Sequence, residues 1–174
     1  QKLFNKIVMG NLAVPYTWET ELSALGQKTY TSSKVKFAAY KEKWEELITS
    51  GKLGYMALLR NLRNILEAQV SDEVMEIVCQ DISNEFKVAK SKQLPFRFLA
   101  AYRELKQLRY YHVSKVLSAL ELAIRASAQN IKGYDGNFRV TIACDVSSSM
   151  QKCITPKSSI LLYDIGLVLA MLLQ

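Results

Sequence analysis

Apolar residues recur at helical spacing through most of this chain, from its N-terminus to about Asn130. The pattern is clearest over residues 55–66, where apolar side chains three or four positions apart share one helix face and polar side chains share the other. Thr17 and Ser71 suit helix N-caps, and Pro95 suits a first helical turn. This patterning predicts a mainly α fold.

Short connectors separate the predicted helices. Gly26 and Gly51 end two of them, and the helix that begins at Ser71 is expected to carry a buried stripe as far as Phe86. Successive amphipathic helices joined in this way favour helix pairs stacked side by side, an α-solenoid, over a closed bundle. The sequence shows no strict repeat.

The pattern changes after a glycine-containing loop. Residues 138–144 are apolar and rich in β-branched and aromatic side chains, which predicts a buried strand. Residues 159–174 predict a helix that is apolar nearly all round, too short and too interrupted by Asp164 to span a membrane. We therefore predict a helical domain over residues 1–130, a linker over 131–137 and the start of an α/β domain over 138–174.

An Asp-x-Ser-x-Ser array follows the predicted strand and resembles the opening of a metal-ion-dependent adhesion site. Asp145, Ser147 and Ser149 offer the hard oxygen ligands that Mg²⁺ prefers, directly or through water, and another divalent cation would suit them as well. The same residues also fit a serine-rich turn whose side chains satisfy local backbone groups.

The predicted α/β part is incomplete within this sequence. One strand and one helix cannot form a sheet, and the sequence begins with Gln1 rather than methionine. A full adhesion-type metal site also takes a threonine and an acidic residue from later loops. We therefore expect a truncated piece of a larger protein, with these ligands after Gln174.

The positive charge of the chain is concentrated in one segment. The net charge is +7, and residues 87–115 contain eight basic residues against the single acid Glu104. Such a surplus suits phosphate or another anionic surface, although charge runs also occur on ordinary solvated helices. The expected phosphate contacts include Lys87, Lys90, Lys92, Arg97, Arg103 and Lys106.

A second candidate phosphate site lies on the predicted helix over residues 55–66. Arg60 and Arg63 are one turn apart with Asn64 beside them, and guanidinium groups bind phosphate bidentately. The alternative is ordinary solvation of a surface helix. Phe98 and Tyr102 lie among bases and could stack on nucleobases, but their spacing favours the helix core.

Signatures of catalysis are absent from the sequence. His112 is the only histidine, and the three cysteines lack metal-ligand or Cys-x-x-Cys spacing. No phosphate loop, nucleophile–base pair or paired carboxylates are found. We therefore predict a protein that is not an enzyme, and the unpaired cysteines favour an intracellular, cytoplasmic location, or also a nuclear one in a eukaryote.

Four stretches in order resemble the TROVE module, which is named for telomerase, Ro and vault proteins. They cover residues 18–23, 56–64, 94–99 and 145–150, and the resemblance spans about residues 17–174. It implies a ring of HEAT-like helical repeats closed by a von Willebrand factor A domain. Residues 145–150 keep the ligand pattern better than telomerase-associated relatives, whereas residues 56–64 look closest to that branch, so the branch stays open.

The resemblance also implies a role in ribonucleoproteins. Ro proteins bind small noncoding RNAs on the outside of the ring and the ends of defective RNAs through its basic centre, and telomerase-associated relatives belong to telomerase and vault particles. With the basic surplus, this predicts an RNA-binding scaffold with a metal-dependent domain for a protein partner, and no membrane. The alternative is mainly a metal-dependent protein-interaction module with little direct RNA binding.

Overall fold

The computed structural model describes residues 1–131, 139, 141–156 and 158–172, and this part of the chain is mainly α-helical. Its helices are α1 (Lys2–Val8), α2 (Trp18–Gly26), α3 (Ser33–Thr49), α4 (Tyr55–Glu67), α5 (Asp72–Ser83), α6 (Glu85–Ser91), α7 (Pro95–Leu105), α8 (Val113–Ser127) and α9 (Leu162–Leu172). One short 3₁₀ turn follows α8 at Ala128–Asn130, and another precedes α9 at Ser148–Gln151.

Side-chain caps fix the starts of several helices where the sequence predicts them. Thr17 forms a capping box with Thr20: Thr17 Oγ1 accepts from the Thr20 N–H at 3.3 Å, and Thr20 Oγ1 accepts from the Thr17 N–H at 3.0 Å. Ser71 caps α5, and Pro95 occupies the first turn of α7. These caps satisfy backbone N–H groups that the first helical turn leaves without partners.

Helices α2 to α8 pack in neighbouring pairs around one apolar core. Helix α8 packs against α5, α6 and α7, while α4 contacts α5, α6 and α7. The largest fully buried side chains include Trp44, Ile65, Met75, Phe98 and Leu120. This arrangement is consistent with the predicted α-solenoid, and burial of Phe98 confirms its core assignment.

The helix expected to continue from Ser71 to Phe86 is interrupted at Asn84. Asn84 has φ −66° and ψ 111°, which ends α5, and its Oδ1 accepts from the Lys87 N–H at 2.9 Å to start α6. The side chain of Phe86 consequently leaves the expected stripe and is 74% exposed. The prediction for Phe86 was wrong because an asparagine cap overrides apolar periodicity.

The predicted strand over residues 138–144 is not formed in the described part of the chain. Residues 141–146 have no regular structure, and Phe138 and Val140 lie outside the described residues. A strand requires a hydrogen-bonded neighbour, and the β-bridge that the structure contains joins Cys153 to Leu161 instead. The linker and domain boundaries stay predictions, since residues 132–137 also lie outside the described ranges.

Helix α9 confirms helical structure within the predicted range of residues 159–174. It contacts α7 and the 3₁₀ turn at Ser148–Gln151. Leu167 and Met171 are exposed, so solvent reaches part of this apolar helix. Within the described ranges, no helix is both long and apolar enough to cross a bilayer.

Candidate nucleic-acid interface

The predicted phosphate-binding residues lie on three helices that pack together. Helix α4 contacts both α6 and α7. Arg60, Arg63 and Asn64 lie on α4, Lys87 and Lys90 on α6, Lys92 after α6, Arg97 and Arg103 on α7, and Lys106 at the end of α7. They are divided between two grooves and the exposed surface around α7.

One groove lies between α4 and α6. This α4–α6 groove has a volume of about 510 Å³. Lys87, Lys90 and Ser91 line it from α6, and residues 54–57 line it from the start of α4. Gly54 is the N-cap of α4 and offers no side chain to the first N–H groups of the helix. These N–H groups and the positive end of the helix dipole favour an anion at this position.

The two lysines of the α4–α6 groove differ in their partners. Lys87 forms an ion pair with Asp81 and is partly buried. Lys90 is exposed and forms no ion pair with any residue that the structure describes. Lys90 is therefore the lysine of this groove whose charge is available to a ligand.

A second groove, smaller in volume, lies between α4 and α7. This α4–α7 groove has a volume of about 190 Å³, and its lining includes Arg60, Arg63, Asn64 and Glu104. Arg63 Nε donates to Glu67 Oε1 at 2.8 Å, and its Nη1 donates to Glu104 Oε1 at 3.4 Å. Arg60 is exposed and has no ion pair within the described ranges. Arg60 and Arg63 thus lie in one groove, as the second candidate phosphate site requires. The guanidinium group of Arg63, however, already has acidic partners.

Arg103 of α7 forms an ion pair with Asp164 of α9. Its guanidinium donates to both carboxylate oxygens of Asp164, with Nη2 at 2.8 Å from Oδ1, and Nη1 also lies 3.4 Å from the Ser159 carbonyl oxygen. The Asp164 side chain is only 7% exposed, and the hydrogen bonds from Arg103 hold the pKa of Asp164 below its usual value. A phosphate at Arg103 would have to compete with this carboxylate.

Three further predicted residues lie on the exposed surface: Lys92, Arg97 and Lys106. None of them forms an ion pair within the part of the chain that the structure describes. Lys92 ends α6 in the left-handed region, with φ 52° and ψ 24°. Residues other than glycine, asparagine and aspartate seldom adopt this conformation.

The three predicted metal ligands lie close together in an exposed loop. Asp145 Oδ1 accepts from the Ser147 N–H at 2.8 Å, and the hydroxyl oxygens of Ser147 and Ser149 are 2.9 Å apart. The hydrogen bonds from Ser147 lower the pKa of Asp145, which keeps it ionised as a metal ligand must be. The donors fit Mg²⁺ chemically, but the described residues contain no cluster of three or more histidine, cysteine or acidic side chains.

A third groove, which the sequence analysis did not single out, lies between α2, α3 and α4. This α3 groove has a volume of about 520 Å³, and its lining includes Lys36, Phe37, Tyr40, Trp44 and Asn64. The signal available in the sequence was aromatic residues at helical spacing within a segment of lysines.

The sequence matches a known family over most of its length. The family model for the TROVE domain covers residues 9–143. This chain belongs to the TROVE domain family. The match includes α2 to α8 and hence all the predicted phosphate-binding residues of this TROVE chain.

Related proteins of much greater length share part of the TROVE chain. Telomerase protein component 1 of Mus musculus is 43% identical over 94 residues, and the protein of the same name from Rattus norvegicus is 43% identical over 94 residues. Each alignment covers 54% of this chain and 3% of the relative, so the chain spans a small part of either. No solved structure matches significantly.

Proposed function

We propose that this chain binds RNA as a non-enzymatic scaffold of an intracellular ribonucleoprotein, with small noncoding or structured RNA on its basic helices. Membership of the TROVE domain family and similarity to proteins named telomerase protein component 1 support the proposal. A ring of HEAT-like repeats closed by a von Willebrand factor A domain is the finer architecture that we propose for the complete protein.

The α4–α6 groove is the observation that carries the RNA-binding proposal. It combines the available charge of Lys90 with the uncapped N-terminus of α4 across one cavity. Backbone N–H groups give directed hydrogen bonds to phosphate oxygens, and a lysine adds a point charge. Such a site holds the sugar–phosphate backbone and does not discriminate between bases.

Four predicted phosphate contacts outside the α4–α6 groove carry further positive charge: Arg60, Lys92, Arg97 and Lys106. All four are exposed. Each phosphate that they neutralise releases condensed counterions, so affinity should fall steeply as salt is raised. Lys87, Arg63 and Arg103 contribute less at first contact because acidic side chains already engage them.

Replacing Lys90 with alanine should weaken RNA binding to a similar degree for all sequences. We expect the slope of log affinity against log salt to decrease in magnitude by about 0.7 to 1, the value for one lost phosphate contact. The measurement is a salt series with a structured RNA that has a single-stranded tail.

Lys6→Ala is the matched control for Lys90→Ala. Lys6 and Lys90 each lie in the last turn of a seven-residue helix, but Lys6 belongs to α1 and does not line the groove. Lys6→Ala should keep the wild-type slope. Absence of RNA binding by the wild-type chain, or binding independent of salt, would contradict the proposed function.

We propose as a second function that a divalent cation at Asp145, Ser147 and Ser149 receives an acidic side chain from a protein partner. The convergence of one carboxylate and two hydroxyl groups in an exposed loop favours it. Mg²⁺ keeps open or water-filled positions at such a site, and a partner carboxylate can take one of them.

Asp145→Ala should abolish cation binding and leave RNA binding unchanged. Mn²⁺, used as a paramagnetic substitute for Mg²⁺, should selectively broaden the amide NMR signals of residues 145–149, and excess Mg²⁺ should reverse the effect. Glu19→Ala is the control because Glu19 is an exposed acid on α2 that forms no ion pair within the described residues. Equal broadening in Asp145→Ala and wild type would refute the metal site.

A further inference from the structure

Helix α1 presents an apolar face that packs against nothing in its own chain. Four apolar side chains share one side of this short helix: Leu3, Phe4, Ile7 and Val8. All four are more than half exposed, and so are their surroundings, because residues 1–16 are exposed throughout. Isolated helices shorter than roughly 12 to 15 residues are marginal in water. Helix α1 therefore needs a surface on which to pack.

The end of α1 is nevertheless specified by its own sequence. Gly10 has φ 66°, and its N–H donates to the Ile7 carbonyl at 3.1 Å. The Asn11 N–H donates to the Lys6 carbonyl at 2.9 Å. These two bonds form a Schellman motif, in which a glycine just after the helix adopts the left-handed conformation. Such a stop signal indicates that the sequence encodes α1 as a helix with a defined end.

The α3 groove offers an apolar surface of matching character. Phe37, Tyr40 and Trp44 line it from α3, and Leu22 lines it from α2. Trp44 is buried with 2% exposure, whereas Phe37 is 42% exposed. The lining contains one lysine and one glutamate, so its charges cancel. A groove without net charge suits the apolar face of a helix better than it suits an ion.

Residues 1–16 form an arm that is tethered to the helical region at Tyr16. The Tyr16 hydroxyl donates to Glu46 Oε1 at 2.6 Å, and Lys52 Nζ lies 4.5 Å from the centre of the Tyr16 ring. Residues 9–15, between this tether and α1, span at most about 25 Å when extended. Helix α1 does not line the α3 groove of its own chain. An arm of this kind can be exchanged between two copies of a chain.

We propose that two copies of this chain associate by exchanging these arms, so that the apolar face of α1 from each copy packs in the α3 groove of the other. Burial of the four side chains removes roughly 100 Å² each from water, or about 400 Å² per arm. The grooves lose a similar area, so the two reciprocal contacts together bury about 1,600 Å², the size of a specific protein–protein interface. Twofold exchange occupies both arms and both grooves, which closes the assembly as a dimer.

Sedimentation velocity over a concentration series should show a monomer–dimer equilibrium for the 174-residue chain in the absence of RNA. Phe4→Asp in the arm and Phe37→Asp in the groove should each weaken dimerisation by at least about tenfold, because each places a carboxylate in the apolar contact. Phe86→Asp is the matched control: Phe86 is 74% exposed on α6, outside both surfaces, so this variant should dimerise like wild type. Circular dichroism checks the fold, and Phe4→Asp tests the proposal even if Phe37→Asp does not fold, since Phe4 lies in the exposed arm.

A mixture of the two variants separates arm exchange from other modes of self-association. The mixed dimer keeps one intact arm opposite one intact groove, so the mixture should dimerise more strongly than either variant alone. Pairing of two arms would leave Phe37→Asp dimeric, and pairing of two grooves would leave Phe4→Asp dimeric; either result would overturn the proposal. A wild-type chain that stays monomeric at about 100 µM would also overturn it. Protection of the α1 amides from hydrogen exchange in such a monomer would assign the arm to the groove of its own chain.

Discussion

Replacing Phe98 with alanine is expected to lower the free energy of unfolding by about 4 kcal/mol. Phe98 is fully buried on α7, and its ring meets the Tyr55 ring of α4 edge to face, with 6.4 Å between centres and 60° between planes. Alanine removes the apolar contacts and leaves a cavity where two helices meet. The Tyr55 hydroxyl, which donates to the Ile82 carbonyl at 3.0 Å, would also be less well fixed.

Urea unfolding monitored by circular dichroism measures the effect, and Phe86→Ala provides the control. Phe86 is the same residue type but is 74% exposed, so its replacement should change the free energy of unfolding by less than about 0.5 kcal/mol. Similar costs for the two variants would show that Phe98 is not in the core.

Replacing Arg103 with leucine is expected to detach α9 from α7, at a cost of about 3 kcal/mol. Asp164 would then keep a buried carboxylate with no cation beside it, although the Leu161 N–H still donates to Asp164 Oδ2 at 2.8 Å. Hydrogen–deuterium exchange should show faster exchange in α9 and little change in α8. Combining Arg103→Leu with Asp164→Leu should recover part of the loss because the unpaired charge is removed.

The Arg103–Asp164 pair also predicts a dependence on pH. Arg103 lowers the pKa of Asp164 in the folded protein, so the pair stabilises fully above the ordinary aspartate value of about 3.9 and is lost as pH falls through the lower folded value. Protection of the α9 amides, expressed relative to the intrinsic exchange rate at each pH, should therefore fall on acidification in wild type and show little of this fall in Arg103→Leu.

Arg63→Leu is the control for Arg103→Leu. The Arg63 side chain is 53% exposed and its partners Glu67 and Glu104 are also accessible, so its loss should affect stability far less than the loss of Arg103. If Arg63→Leu and Arg103→Leu have equal effects on α9, the ion pair with Asp164 does not hold that helix in place.

Local signals in the sequence were enough to predict most of the helical region. The Thr17 cap, the Ser71 cap and Pro95 act within one helical turn, and the structure has α2, α5 and α7 where they indicate. The apolar face over residues 55–66 is likewise buried in α4. Interactions between residues three or four positions apart require no knowledge of the rest of the fold.

Contacts between residues far apart in the sequence could not be predicted in the same way. Arg103 and Asp164 are 61 positions apart, and nothing in the sequence of α7 distinguishes Arg103 from the exposed Arg97. The strand expected over residues 138–144 is not formed in the described residues of that range, and a strand depends on a partner that local sequence does not specify. The α3 groove arises where α2 and α4 leave part of an aromatic face uncovered, which only their packing determines.

The left-handed backbone at Lys92 makes this position a trade-off between stability and binding. A lysine in that conformation costs about 1 kcal/mol that glycine would avoid, so local folding alone favours glycine after α6. Under the proposed function, the positive charge at this helix end gives a selective reason to keep lysine. Variants that are more stable but bind RNA less well are therefore to be sought here, and Lys92→Gly is the simplest of them.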